Sequence, residues 1–207
     1  MSAVLPTLYD DHEVAPCPFT TSEIEELKST GEMLVYLPRK LQIKEMCDRW
    51  DIKTNFDPEQ ERMIRSVMVT EDQWFITSAS PTPELLNQSA KRASRIYEDE
   101  GLYGLDIRRY IAFCAHYRFH YDCWPDQTYW TFLLSGSYDR SGVSIVGFDK
   151  HGVLSHHGWM RNFRAKFCGS RYIVIAPRIE LTPETEHLSR ARRHDNRLIN
   201  QEASLDS

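Results

Sequence analysis

Long apolar runs are missing from this chain. Its longest apolar stretches, such as 129–134, have the length of a strand and fall well short of the roughly 18 residues that a membrane-spanning helix requires. The first 14 residues include Asp10, Asp11 and Glu13 and hold neither a basic nor an apolar segment, so we expect no secretory signal. The sequence therefore predicts a soluble protein that makes no contact with a membrane.

Cysteines are few and show no pairing pattern. The chain has 5 cysteines, and no two of them have the spacing of a C-x-x-C motif, a zinc finger or a zinc ribbon. An odd number of thiols without such spacing disfavours both a disulfide framework and a structural zinc site. Reduced thiols buried as small apolar groups predict a reducing compartment, and we expect a cytoplasmic protein.

The short motifs that would fix a reaction are absent as well. The sequence contains no Gly-Lys-Ser/Thr phosphate loop, no G-x-G-x-x-G fingerprint and no H-E-x-x-H metal motif, so the usual nucleotide, dinucleotide and zinc-protease sites are excluded. The G-x-S-x-G turn that exposes a nucleophilic serine in many hydrolases does not occur either. No cofactor is predicted on this basis.

What the chain does contain predicts one globular domain. Its 207 residues are 41% hydrophobic and 12% aromatic, which suffices for a single core. Residues 1–19 are predicted as an irregular lead-in, 20–177 as the domain and 178–207 as a polar tail that is frayed or ordered by a partner. We expect an α+β fold with a single antiparallel (mixed) sheet of about five to seven strands. Helices from 20–66 and 82–121 are expected to cover one face of that sheet.

Local signals predict where several elements begin. Ser22 and Glu25 have the spacing of a capping box, and Asp57 followed by Pro58 is typical of a helix start. Thr82-Pro83-Glu84 is predicted to open another helix, and Asp106 the next. Asp149 and Gly152 predict a tight turn between two of the strand-like runs, which are 67–70, 74–78, 128–134, 143–148, 153–157 and 172–176.

Two histidines four residues apart form the first candidate site. On a helix, His116 and His120 lie on one face and can bind one metal ion. Projection places them away from the apolar stripe, so we expect them to be exposed or to face a groove. Two surface histidines without a ligand are the favoured interpretation of the pattern, and a divalent metal at this pair is the alternative.

A second candidate site is catalytic. His156 shares a strand face with Val146 and Phe148 in the predicted hairpin, and Arg140 lies in the Ser/Gly-rich connection that precedes it. An imidazole near neutral pKa could act in acid–base chemistry if it lined a pocket, with Arg140 supplying a fork for an anion. A hydrogen-bonded, half-buried histidine is the alternative.

A third candidate combines basic and aromatic residues. The segment 159–172 holds Trp159, Arg161, Arg164, Lys166 and Arg171, and the tail adds further arginines, which are Arg190, Arg192, Arg193 and Arg197. Cations attract phosphates and aromatic faces stack on unpaired bases. Alternatively, Phe163 and Phe167 form the buried side of a short amphipathic helix whose arginines are merely solvated.

Three functions remain open at this stage. Without a complete catalytic constellation, the first expectation is a non-enzymatic interaction or adaptor protein with a protein partner. The second is a nucleic-acid-associated protein that uses 159–172 and the arginine-rich tail. The third is a metal-dependent or acid–base enzyme built on His116 and His120, or on His156 and Arg140.

Overall fold

The computed structural model describes residues 8–9, 14–39, 41–57, 64–65, 71–138 and 142–176, and of residues 64–65 it describes only the backbone. Four helices lie in this part of the chain: α1 (Thr21–Ser29), α2 (Ile43–Arg49), α3 (Ala90–Asp99) and α4 (Ile107–Tyr121). The same residues form nine strands: β1 (Glu32–Leu37), β2 (Ile64–Arg65), β3 (Gln73–Ser78), β4 (Tyr103–Gly104), β5 (Trp130–Tyr138), β6 (Gly142–Phe148), β7 (Leu154–Trp159), β8 (Cys168–Ser170) and β9 (Tyr172–Ile175).

The α+β class is confirmed, but the single sheet is wrong. A four-stranded antiparallel sheet has the order β1-β3-β9-β4. The second sheet has the order β2-β5-β6-β7, and β8 runs parallel to β5. Alternating apolar residues indicate a strand, but they do not indicate which partner it pairs with.

One extended segment of the chain contributes a strand to each of the two sheets. β8 pairs with β5, and after Arg171 the same segment continues as β9, which pairs with β3 and β4. Arg171 has none of its surface exposed. Its guanidinium forms a buried ion pair with Asp126, at 2.6 Å between Nη2 and Oδ1, and donates to the carbonyl oxygens of Ser78 and Ser80.

α4 is the central helix. Every residue from Ile107 to Tyr117 is buried, and the helix contacts both β1 and β5. Asp106 caps its N-terminus by accepting hydrogen bonds from the backbone N–H groups of Arg108 and Arg109. A helix buried on all sides has no polar face. His116 is 2% exposed and lines a groove together with His120, which is the second of the two positions expected for it.

Local turn chemistry was predicted more successfully than helix starts. Gly152 has a φ of +73°, its N–H donates to the Asp149 carbonyl, and the turn joins β6 to β7 as expected. The capping box of α1 lies two residues earlier than predicted, on Thr20 and Glu23.

The helix that was predicted to begin at Thr82 does occur, but its predicted start is wrong. α3 begins only at Ala90, because Glu84 pairs through its backbone with Ser170 and because Leu85 and Asn87 have positive φ, which interrupts a helix.

Some expectations fall outside the residues that the structure describes. They are the continuation of the helix from Pro58, the strand at 67–70, Arg140 and the tail from 178 onward. The chain up to Ile175 forms one compact unit. In the described part of the chain, no helix has the length and apolar composition that are needed to cross a bilayer.

Candidate nucleic-acid interface

The basic and aromatic residues lie on a loop that connects β7 to β8. Two turns shape this loop: the N–H of Phe163 donates to the carbonyl of Met160, and the N–H of Cys168 donates to the carbonyl of Ala165. The expected amphipathic helix through Phe163 and Phe167 does not form. The cations of the loop are therefore not the solvated face of a helix, and their positions follow from the two turns.

Three contacts hold this loop against the second sheet. Phe163 and Ala165 pack on a core cluster of Ala90, Phe132, Val143, Ile145 and Cys168. The N–H of Trp130 donates to the carbonyl of Phe167 at 2.8 Å, and the N–H of Lys91 donates to the carbonyl of Arg161 at 2.9 Å. The loop is thus fixed at its middle and at its end, so its outward side chains project from a supported backbone.

Those outward side chains include large apolar groups. Trp159 is 41%, Met160 71% and Phe167 50% exposed. The ring of Trp159 meets that of Phe163 edge-on at a centroid distance of 5.1 Å, which supports the indole from below while leaving part of it in solvent. Partly exposed aromatic rings on a fixed backbone can stack on a ligand at little cost in conformational entropy.

The cations of the loop have basic neighbours from another element. Arg161, Arg164 and Lys166 are all exposed, and residues 159–167 contain no Asp or Glu. The Lys91–Arg161 hydrogen bond brings the first turn of α3 against the loop, and that turn carries the exposed Lys91 and Arg92 with no acidic residue. The positive end of the α3 dipole adds to this charge. We call these residues the basic–aromatic surface: Lys91, Arg92, Trp159, Arg161, Arg164, Lys166 and Phe167.

Sequence reasoning found one half of this surface and missed the other. Lys91 and Arg92 stand next to one another in the sequence, but only the fold brings them to Arg161. Nothing in the sequence indicates that two residues so far from the loop along the chain lie beside it in the fold. By contrast, the acid-free run of 159–167 is visible in the sequence itself.

Arg171 does not belong to this surface, contrary to the expectation. Its side chain is completely buried, and its guanidinium lies 4.6 Å from the ring centre of Phe113. Burial alone would lower the pKa of Arg171, but the adjacent Asp126 carboxylate outweighs it and the pKa is raised. A buried, paired guanidinium serves to join the two sheets and has no access to a phosphate.

The histidine pair on α4 is divided between the interior and the surface. Nε2 of His116 lies 2.9 Å from the hydroxyl of Tyr9 and 3.4 Å from the backbone N of Tyr36. His120 is exposed and lines, with His116, a groove of about 320 Å³ between α1, β1 and α4. Burial lowers the pKa of His116 to about 3. Nε2 of His116 is occupied by protein partners, so only its Nδ1 could join His120 on a metal ion.

Among the residues that the structure describes, no group of three or more His, Cys, Asp or Glu side chains is arranged to hold a metal ion. A metal site at His116 and His120 therefore stays a prediction, and the described residues add no third ligand to the pair.

His156 is buried on β7, opposite Val146 of β6 as expected. Its ring lies 5.4 Å from that of Phe56 and 5.3 Å from that of Tyr138. Burial, and secondarily His157, lower the pKa of His156 to about 4. The two aromatic rings pack against the imidazole, and the catalytic role stays a prediction because the expected partner Arg140 lies outside the described residues.

A carboxylate that the sequence did not single out, that of Glu84, also has a strongly shifted pKa. Burial raises the pKa of Glu84 to about 7, against the opposing effects of Arg171 and of hydrogen bonds from Ser78 and Tyr97. The charge of Glu32 raises it further. Glu84 belongs to the segment that pairs with Ser170, and the misassigned helix start at Thr82 concealed its environment.

Comparison with known protein families, curated proteins and solved structures finds no match to this chain. The chain is an α+β protein of two sheets around a buried helix that presents a basic–aromatic surface.

Proposed function

We propose that this protein binds single-stranded nucleic acid through the basic–aromatic surface. The observation that supports the proposal is the joining of two acid-free basic segments, around Lys91 and Arg161, beside partly exposed aromatic rings. The protein as a whole has a formal net charge of −5. General attraction of polyanions is therefore weak, and phosphate binding has to come from this local cluster.

The chemistry of the surface matches a single strand better than a duplex. Bases of a single strand are unstacked and present π-faces that Trp159 and Phe167 can contact, whereas a duplex hides them. Arg161, Arg164 and Lys166 can follow the phosphates alongside. The basic–aromatic surface consists mainly of a loop and contributes only the first turn of α3, whereas major-groove readout uses the side of a helix or a β-ribbon, so we expect little base specificity.

The binding test uses fluorescence anisotropy with labelled RNA and DNA single strands longer than the roughly 4–16 nucleotides that one binding domain covers. If about three to five phosphates are neutralised, affinity falls roughly 20- to 130-fold between about 50 and 200 mM salt. The triple variant Arg161→Ala/Arg164→Ala/Lys166→Ala loses most of the affinity and flattens the salt dependence. Trp159→Ala weakens binding roughly 5- to 160-fold, the loss of one stacked base.

A matched variant separates local charge from total charge. Lys44→Gln/Lys53→Gln/Lys150→Gln removes three exposed cations that lie elsewhere on the protein, so it keeps wild-type affinity. Equal losses in the two triple variants, or no binding by the wild type at low salt, would refute the proposal.

A protein partner is the second candidate, and a separate observation favours it. Tyr103 on the edge strand β4 is 61% exposed, and Ile175 on the neighbouring strand β9 is 37% exposed. Their register places both on one face of the four-stranded sheet. Aromatic and aliphatic side chains exposed at a sheet edge are typical of protein contacts. The double variant Tyr103→Ser/Ile175→Ser abolishes partner binding in this case and leaves nucleic-acid affinity unchanged.

A further inference from the structure

Arg108, in the first turn of α4, is buried in an unusual way. The residue is 2% exposed, and two of its side-chain nitrogens, Nε and Nη2, have no hydrogen-bond partner. Buried polar atoms without partners are rare in proteins, and a buried cation without them is costly. Burial lowers the pKa of Arg108, although the nearby Asp106 opposes that effect.

The identity of the two atoms matters. Nε and Nη2 form one edge of the planar guanidinium, and their N–H bonds point in parallel. This edge fits two oxygens of one carboxylate or phosphate group, which accept a bidentate pair of hydrogen bonds. The two unpartnered nitrogens of Arg108 therefore present the geometry that a single oxyanion accepts.

The surroundings favour an anion as well. Side chains in the first turn of a helix lean toward its N-terminus, where the dipole of α4 is positive. Among the described residues, the acidic group that acts on Arg108 is Asp106, which is engaged by the backbone N–H groups of Arg108 and Arg109 and by an ion pair with the Arg109 guanidinium. The charges of the two arginines and this aspartate sum to one positive charge.

We propose that Arg108 binds a small oxyanion, a carboxylate or phosphate group of a free metabolite, at the N-terminus of α4. Because Arg108 is only 2% exposed, the side chain reaches the ligand by a change of rotamer. Pairing with the anion removes the penalty of the unpartnered edge, which favours the bound state. The site is independent of the basic–aromatic surface, because Arg108 contributes nothing to that surface.

The probes are sodium phosphate and sodium acetate, compared with sodium chloride at equal ionic strength. The wild-type Tm rises saturably with one or both probes, and the Nε–H signal of one arginine shifts in NMR spectra of the same titration. The probe with the stronger effect identifies the class of oxyanion. Arg108→Lys keeps the charge but loses the paired edge, and it weakens binding at least tenfold.

Arg108→Met tests the site without depending on a ligand. Methionine fills a similar space with no polar atom, so in chloride this variant has a higher Tm than the wild type. It also loses the saturable Tm rise and the shifting arginine signal. The variant Arg161→Ala/Arg164→Ala/Lys166→Ala keeps both responses, which distinguishes this site from the nucleic-acid surface.

Two results would overturn the proposal. One is an equal rise of Tm with phosphate or acetate in the wild type and in Arg108→Met. The other is a wild type that shows no saturable response to either probe.

Discussion

Glu84 shows how one side chain can make stability depend on pH. Its pKa in the folded protein is about 7, against an ordinary value of 4.5, because it is buried. The folded state therefore keeps a proton that the unfolded state releases between about pH 4.5 and 7. Across that range the contribution of Glu84 to stability falls as pH rises, by up to about 3 kcal/mol in total.

Glu84→Gln removes this loss, since the amide stays neutral at every pH. We expect the free energy of unfolding of the variant, measured in urea, to rise relative to the wild type from about pH 4.5 to 7 and to stay level above pH 7. The control variant is Glu98→Gln, which makes the same substitution at an exposed glutamate of α3 and leaves the pH dependence of the wild type unchanged. A constant difference between wild type and Glu84→Gln over this range would contradict a raised pKa.

The properties of single residues were the least predictable from the sequence. His116 and Arg171 are polar by type, and composition alone favours exposure for both. Each is buried because a distant residue receives it: Tyr9 for His116, and Asp126 for Arg171. A sequence pattern contains no information about such partners, so the burial of these two side chains could not be predicted, and Arg171 was wrongly expected at the basic surface.

At the scale of the element, the N-terminus of α4 depends on Asp106. Its carboxylate is completely buried, caps the helix and pairs with the buried Arg109. Asp106→Asn keeps a capping side chain but leaves the Arg109 charge without its anion, so we expect a loss of about 3–5 kcal/mol in the free energy of unfolding. Urea denaturation measures this loss directly.

Ser89→Ala provides the comparison. Ser89 caps α3 at an exposed position by accepting a hydrogen bond from the N–H of Arg92, and its removal costs about 1 kcal/mol. If Asp106→Asn lowers the free energy of unfolding no more than Ser89→Ala does, the ion pair with Arg109 contributes nothing. Capping alone then accounts for the effect of Asp106.

Elements were predictable where their cause is local. The turn at Asp149–Gly152 follows from a glycine that takes a left-handed conformation easily. Strand pairing has a non-local cause, so the division into two sheets at Arg171 could not be seen. For the same reason, the basic loop was recognisable, whereas its contact with Lys91 was not.

At the scale of the whole molecule, the pH dependence of the free energy of unfolding is the sum of contributions with opposite signs. Burial lowers the pKa of His116 to about 3 and that of His156 to about 4, from an ordinary 6.5. Below pH 6.5 the unfolded chain binds two protons that the folded protein refuses, so these histidines stabilise the fold above pH 6.5 and progressively less below it. Glu84 acts in the opposite direction between about pH 4.5 and 7.

The balance of these three groups predicts a plateau. Between about pH 4.5 and 6.5 the unfolded state binds two protons more at the histidines and one fewer at Glu84, so stability rises by about 1.4 kcal/mol per pH unit. Between about pH 6.5 and 7.5 the last part of the histidine titration and the titration of Glu84 nearly cancel, so stability stays level. Urea unfolding at intervals across this range measures both parts. In Glu84→Gln the slope below pH 6.5 doubles and the rise continues to about pH 7.5. Equal slopes below pH 6.5 in the wild type and in Glu84→Gln would show instead that Glu84 is ionised in the folded protein.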